Sequence, residues 1–385
     1  MGFAILATSK VRTLQSNTGS CSVRSKTYDE LAAELARLAP DAIVVVGTPP
    51  ALAAKWQTTT IPIIMAPAAD PLRSGLAASL SRPGGNVTGV SLYGSEIARI
   101  SMLIPERLKW IAQHEDGESW LANLPKLVAE LVEMWGLQLG APWDGANVSY
   151  VAPAVRDTEH VVLKVQWPHD ECIHEACALK VWDGAGAVRL LSHDAERHAL
   201  LLERCLPGIC LAADADIDPL AVLSNLLPRL WKPIGPPFRS LTEEAQDWAK
   251  TLHSDWVAAG QQCERKLINA AAEYLDQLSN SQGEQVLVHQ DLHGENVLSA
   301  QREPWLVIDP KPLAAEREFS LAPIIRSFEF GHSQKEVIYR LDRLTAELGL
   351  DRERVRRWTI AQTVAWSFDS AYADRHYETA RWLLE

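Results

Sequence analysis

Apolar positions recur along this chain with two periods. Leu31, Leu35 and Leu38 share one face of a helix predicted over residues 28–38, which Pro40-Asp41 ends. Residues 42–46, 61–65 and 87–92 are short apolar runs bounded by proline and glycine, the pattern of buried strands. A second helix follows Gly47-Thr48-Pro49-Pro50, and a short one is expected over 76–80. Strands alternating with helices predict a partial α/β segment with a parallel sheet over residues 28–92. Residues 1–27 show no clear period, are rich in Ser and Thr, and are expected to be poorly ordered. Residues 93–103 read as a junction.

The pattern changes after residue 104. Apolar residues at helical spacing run from 105 to 133, divided at Asp116-Gly117-Glu118-Ser119, with Ser119 as the expected cap. Alternation then predicts three strands: Leu137 with Leu139, then Val148, Tyr150 and Ala152, then residues 160–165. A helix over 170–182 and strands over 188–191 and 200–203 complete a small β-rich lobe, 104–205. Leu206-Pro207-Gly208 interrupts the pattern as a hinge between lobes would. Residues 206–385 are mainly helical, over 213–230, 242–259, 263–278, 321–328, 334–348 and 352–382. Two short apolar runs, 286–288 and 305–308, break into this helical part.

Composition narrows the class. At 385 residues, with 47% apolar and 22% charged, the chain suits two or three globular domains. No apolar run approaches the ~20 residues of a membrane span, and MGFAILATSK is a poor secretory signal. The cysteines at 21, 172, 177, 205, 210 and 263 form no CxxC pair. Reduced thiols in the cytoplasm are the expectation. Residues 1–100 carry a net +3, which leaves −15 of the total −12 on the rest. Such an acidic body repels nucleic acid and suits a cationic small molecule.

The candidate chemistry sits where strands break the helical part. Residues 286–310 read VLVHQDLHGENVLSAQREPWLVIDP. Asn296 follows Asp291 by five residues, and the second apolar run delivers Asp309 eighteen residues after Asp291. This is the HxDxxxxN loop and metal-binding aspartate of kinases. Phosphoryl transfer needs a carboxylate beside the attacking hydroxyl, here Asp291. It also needs oxygen ligands for Mg2+ on the nucleotide phosphates, here Asn296 and Asp309. Lys164, in the strand VVLKV, matches the lysine that pairs with ATP phosphates. Glu171 and Glu175 share a helix face downstream, and Glu175 is the expected ion-pair partner of Lys164. Adenine is expected to bond backbone groups near Glu203 and Cys205. Gly140 and Gly145 do not make GxGxxG. The turn at 140–147 either covers phosphates, with Asn147 or Ser149 assisting, or is a plain hairpin turn.

Two resemblances extend this reading. SYVAPAVR (149–156), VLKVQWP (162–168), ALLLERCLPG (199–208), VHQDLHGENVL (288–298), VIDPKP (307–312) and FEFGHS (328–333) resemble the aminoglycoside and hydroxyurea phosphotransferases. That implies an α+β fold: a bilobal protein-kinase-like body with a small β-rich N-lobe and a helical C-lobe. It also implies ATP as donor, and a cytoplasmic bacterial enzyme of antibiotic resistance that acts on streptomycin or a related drug. Hydroxyurea, a tuberactinomycin peptide or a metabolite alcohol are the alternative acceptors. Ala315, before Glu316, departs from the glycine found in many relatives. Asp255, Asp369, Asp374 and Glu378 are candidate acids for the drug's guanidinium groups. PDAIVVVGTPPALAAK (40–55) and the run 61–92 resemble substrate-binding proteins of ABC transporters, over a fraction of one lobe. Residues 28–92 are therefore expected to be a fused fragment. A chain dominated by that part would be a solute-binding or scaffold protein without turnover.

Overall fold

A computed structural model describes residues 2–6, 12–15, 27–68, 74–76, 84–91, 104–169, 173–368 and 370–385. The chain clusters into two units, Met1–Ile104 with Leu121–Leu131, and Pro105–Trp120 with Val132–Glu385.

In the first unit, strands β1 (Gly2–Leu6) and β2 (Arg12–Gln15) precede helix α1 (Tyr28–Arg37), β3 (Ala42–Val46), α2 (Thr48–Gln57), β4 (Ile63–Ala68) and β5 (Val87–Ser91). The sheet order is β2-β1-β3-β4-β5. β3, β4 and β5 run parallel, as the alternation predicts. Leu31 and Leu35 of α1 pack with Ile43, Val45, Ile63, Met65 and Val87. Thr27 caps α1: its hydroxyl accepts the Glu30 N–H while the Glu30 carboxylate accepts the Thr27 N–H. The expectation of disorder over 1–27 is corrected for the described part, which holds β1 and β2. β1 takes its register from β3, and pairing of that kind leaves no period of its own to read. The helix expected over 76–80 lies mostly outside the described residues.

Helix α3 (Gly117–Trp135) starts earlier than Ser119 suggested. A Cβ on Gly117 would lie 1.7 Å from the Ile111 carbonyl oxygen. Only glycine permits that approach, so Asp116 takes the cap position instead.

The second unit opens with an antiparallel sheet of β6 (Leu137–Leu139), β7 (Ser149–Arg156), β8 (Glu159–Gln166), β9 (Leu190–Asp194) and β10 (Ala199–Glu203), in the order β6-β7-β8-β10-β9. Helix α4 (Glu175–Trp182) lies between β8 and β9 in the chain. It is shorter than expected, and Glu171 lies outside the described residues.

The second lobe carries α5 (Pro219–Leu230), α6 (Leu241–Ala258) and α7 (Arg265–Ser279). α5 begins at Pro219, later than residue 213, because the Asp218 carboxylate caps Leu220 and Ala221. Four short strands follow: β11 (Gln285–Val288), β12 (Val297–Ser299), β13 (Trp305–Val307) and β14 (Leu313–Glu316). The chain ends in α8 (Ala322–Arg326), α9 (Gln334–Leu348), α10 (Arg352–Ala365) and α11 (Ala373–Leu384). The single helix expected over 352–382 is thus two. Buried Leu223, Leu287, Phe319, Trp358 and Tyr377 belong to one apolar core with Leu179 and Leu200 of the first lobe. Among the described residues no helix is long and apolar enough to cross a membrane.

Candidate active site

β11 pairs with β14 and β12 with β13, both antiparallel, so the second hairpin is nested inside the first. Val288 faces Leu313 and Val297 faces Val307. The two segments left over, 289–296 and 308–312, must therefore lie side by side. Asp291 and Asn296 stand on one, Asp309 on the other. Their backbones interlock: Ile308 N–H donates to Asn296 C=O at 2.9 Å, and Lys311 N–H to His289 C=O at 3.1 Å. Gln290 and Asp309 have positive φ, 62° and 55°. Non-glycine residues held there store about 1–3 kcal/mol each, typically at functional sites.

Lys164 comes from the sheet of the other lobe. β8 is flanked on both sides, with Lys164 opposite Val151 and Leu200. Val162, Lys164 and Gln166 share one face by the two-residue period. Glu175, the first residue of α4, meets that face. Lys164 Nζ donates to Glu175 Oε2 at 2.6 Å and to Asp309 Oδ1 at 2.5 Å, and Gln166 Nε2 donates to the same Glu175 oxygen. The expected Lys164–Glu175 pair is therefore formed.

The electrostatics follow from that geometry. Burial opposes the Lys164 charge, but Asp309 and Glu175 outweigh it and hold its pKa above the usual lysine range. The Lys164 ammonium holds the Asp309 carboxyl down at about 2. Burial lifts Glu175 to about 7 against the pull of Lys164. Asp309, whose side chain is 60% exposed, is the firmly ionised partner.

A cavity of about 560 Å3 lies between the lobes of this unit. Val162, Val188, Leu202, Leu298 and Ile308 give it apolar walls. Lys164, Glu175, Asn296 and Asp309 line it too. Glu203 and Cys205, where backbone contacts to adenine are expected, also line it. The Glu203 carboxylate takes Arg302 Nε at 2.8 Å and Arg189 N–H at 3.0 Å. The Cys205 thiol is buried, which pushes its pKa to about 12 and keeps it neutral. The turn at 140–147 reaches the cavity through Trp143, Gly145 and Asn147, and Ser149 lines it as well. Asn147 is held from outside, its side-chain oxygen by Arg107 and its carbonyl by Trp110.

Asp291 lines a neighbouring cavity of about 240 Å3, with Glu295 common to both. Its carboxylate is 3.5 Å from Lys311 Nζ and 3.7 Å from Arg326. Burial works to raise its pKa, but Lys311, His293 and Arg326 hold it below the usual carboxylate range. His293, Arg326, Glu329, Tyr372 and His376 are among the other residues that line this second cavity. Asp255, Asp374 and Glu378 line neither cavity, and Asp369 lies outside the described residues. Glu378 instead faces His332 at 3.8 Å. Lys311, Arg326, His293 and Glu329 had no role assigned by the sequence. His293, Lys311 and Glu329 fall within the VHQDLHGENVL, VIDPKP and FEFGHS blocks, which was the available signal.

An antiparallel lobe presenting a Lys–Glu pair to an HxDxxxxN loop and a strand-end aspartate defines a phosphotransferase of the protein-kinase-like class. The chain belongs to the aminoglycoside/hydroxyurea antibiotic resistance kinase family, whose profile matches residues 140–373. It is 37% identical to a streptomycin 6-kinase of Streptomyces griseus over 266 residues, 66% of this chain and 86% of that protein. It is 40% identical to a hydroxyurea phosphotransferase of Kitasatospora aureofaciens over 257 residues, 64% of this chain and 73% of that protein. A solved choline kinase from Streptococcus pneumoniae shares the fold at 15% identity and a TM-score of 0.51, covering 68% of this chain and 99% of that one. Residues 19–116 match the ABC transporter substrate binding protein family. Within the chain, 53 residues are 51% identical to a tyrosine-binding protein of Clostridioides difficile (strain R20291), which is 15% of that protein.

Proposed function

We propose that this chain transfers the γ-phosphoryl group of ATP to a hydroxyl of an aminoglycoside, with streptomycin and its 6-hydroxyl the first candidate, and that it does so in the cytoplasm. The observation that carries the reading is the meeting of Lys164, Glu175, Asn296 and Asp309 on one cavity beside Asp291. The 37% identity to a streptomycin 6-kinase supports the acceptor. The −15 carried by residues 101–385 suits a polycationic drug.

In this reading the apolar walls take the adenine, and the backbone over 203–205 supplies its hydrogen bonds. Lys164 pairs with the phosphates as a point charge. Asn296 and Asp309 fit a hard cation. The Asn296 NH2 is turned to the Asp291 carbonyl at 2.9 Å, which leaves the amide oxygen for an ion, and Asp309 is an ionised carboxylate. Bound Mg2+ would neutralise phosphate charge there. Asp291 orients the acceptor hydroxyl and takes its proton as the new P–O bond forms and the β–γ bond breaks. Residues 28–92 are read as a fused fragment without a ligand cleft of their own.

The test is mass spectrometry of streptomycin incubated with the full chain and Mg-ATP. A gain of one phosphate is expected. The 40% identity to a hydroxyurea phosphotransferase favours hydroxyurea as the second acceptor to assay. No phosphate transfer to either, with ligand binding but no ATP turnover, would return the chain to the solute-binding or scaffold class.

A further inference from the structure

The turn at 140–147 carries one large apolar side chain, Trp143, and its geometry says which part of a nucleotide it covers. Trp143 is 43% exposed and lines the larger cavity. The guanidinium carbon of Arg204 lies 5.8 Å from the centre of its ring, within cation–π range. Arg204 follows β10 and lines the same cavity with Cys205, Pro207 and Gly208. Trp143 comes from the other side of the sheet, where its N–H donates to Val151 C=O of β7 at 2.9 Å. In the order β6-β7-β8-β10-β9, β8 separates those two strands. Val162 and Lys164 of β8 line the cavity as well, so the contact crosses the sheet on its cavity face. It does so away from Lys164. That residue stands opposite Leu200, and Arg204 lies four residues farther along, roughly 13 Å at strand spacing.

The backbone of the turn is unsuited to phosphates. An anion nest alternates right- and left-handed residues so that successive N–H groups converge. None of residues 140–147 has a positive φ. Two of the N–H groups are already engaged, Trp143's on Val151 and Gly140's on Pro153 C=O at 2.7 Å. Both Asn147 oxygens are held from outside, by Arg107 and Trp110. Trp167 N–H donates to Val148 C=O at 3.0 Å, so the far end of the turn is tied down too.

We propose, on the reading of the larger cavity as the nucleotide site, that this turn roofs the nucleoside and not the phosphates, with Trp143 packed on the base. Arg204 covers one face of the indole and leaves the rest of it to the ligand. Every base has a π-face, so such a contact adds affinity without choosing among bases. The choice stays with the backbone over 203–205.

The test uses the full-length protein, with AMP-PNP titrated by calorimetry and adenosine measured by its displacement of AMP-PNP. Trp143→Ala is expected to weaken both by the same factor, roughly 5–100-fold, the range for removing an aromatic ring that a base packs on. Trp143→Phe keeps a flat ring and should recover most of the affinity. Trp143→Leu keeps only apolar bulk and should not. If Trp143→Ala does not fold, comparison of the Phe and Leu variants decides. A loss for AMP-PNP much larger than that for adenosine would return the turn to the phosphates and overturn the proposal. So would unchanged affinity in every variant, equal affinity of the Phe and Leu variants, or a wild-type chain whose AMP-PNP adenosine cannot displace. A wild-type chain that does not bind AMP-PNP at all would overturn the kinase reading as well.

Discussion

His289 Nε2 donates to the backbone carbonyl of Ile308 at 2.8 Å, joining the loop that bears Asp291 to the residue before Asp309. His289 is buried and stacks on Trp182, with ring centroids 6.2 Å apart. Burial holds its pKa below the ordinary histidine value, so it acts as a neutral tie and not as a proton carrier. His289→Leu keeps much of the volume and removes the bond. We predict a loss of about 1–3 kcal/mol in unfolding free energy, the cost of an unsatisfied buried carbonyl. A kcat loss of up to about 10²-fold should accompany it, from the displaced Asp309. Denaturant titration and steady-state kinetics check both. Full turnover in a destabilised variant would show that this tie serves stability only.

Asp291 stands on the HxDxxxxN loop with Lys311 Nζ at 3.5 Å and Arg326 at 3.7 Å from its carboxylate. Asp291→Ala should lower kcat by roughly 10²–10⁴, the range for removing a positioned base. Nucleotide affinity should hold, because Asp291 does not line the nucleotide cavity. Calorimetry with AMP-PNP and an initial-rate assay separate the two effects. Unchanged turnover would remove Asp291 from the mechanism.

The same flanking charges fix a pH dependence. Asp291 must be ionised to accept a proton, so activity is present above its pKa and lost as pH falls through it. Burial raises that pKa, and Lys311, His293 and Arg326 pull it down further than burial lifts it. Removing one cation must move the acid limb of the rate profile to higher pH. Arg326→Met is the variant of choice, because Arg326 also covers the Trp366 ring at 4.7 Å and methionine retains apolar contact there. The acid limb of kcat/KM is expected to shift upward relative to wild type. A shift in the opposite direction would mean that a group other than Asp291 governs the limb.

Much of the lining of the larger cavity was legible because it is encoded locally. Period-two alternation set the face of β8 that carries Lys164. The strand–loop–strand spacing set Asn296 and Asp309. The cavity beside Asp291 was not legible, because it is assembled from segments far apart in the chain. Arg326 comes from a five-residue helix, Glu329 from the loop after it, and His376 from α11. No period links these positions. Negative charge alone also says nothing about direction, so the sequence does not separate a cleft acid from a surface charge at Asp255, Asp374 and Glu378, and none of the three lines either cavity. The break at 366–372 was missed because Trp366, Phe368 and Tyr372 continue an apolar pattern through it. That break is nonetheless what gives Tyr372 to the second cavity.

Ala315 and Glu316, at the end of β14, provide the last prediction. Ala315 is fully buried on β14, opposite Val286 on β11, so the alanine continues a regular strand. Glu316 follows it and is also buried. Its carboxylate accepts from Gly283 N–H at 3.1 Å, from Arg354 Nε at 2.7 Å and from the Trp358 indole. Arg354 reaches on to the carbonyl of Ser281 at 2.9 Å. One carboxylate thus ties β14 and α10 to the turn after α7, and Glu316 lines neither cavity. Glu316→Ala leaves a guanidinium without its buried partner. Loss of one partner from a buried pair costs about 3–5 kcal/mol, and the partial exposure of Arg354 places this case at about 3. The thermal midpoint should therefore fall clearly, while kcat at a temperature where the variant is still folded stays at the wild-type value. A large kcat loss in the folded variant would instead make this knot part of how β14 presents Asp309.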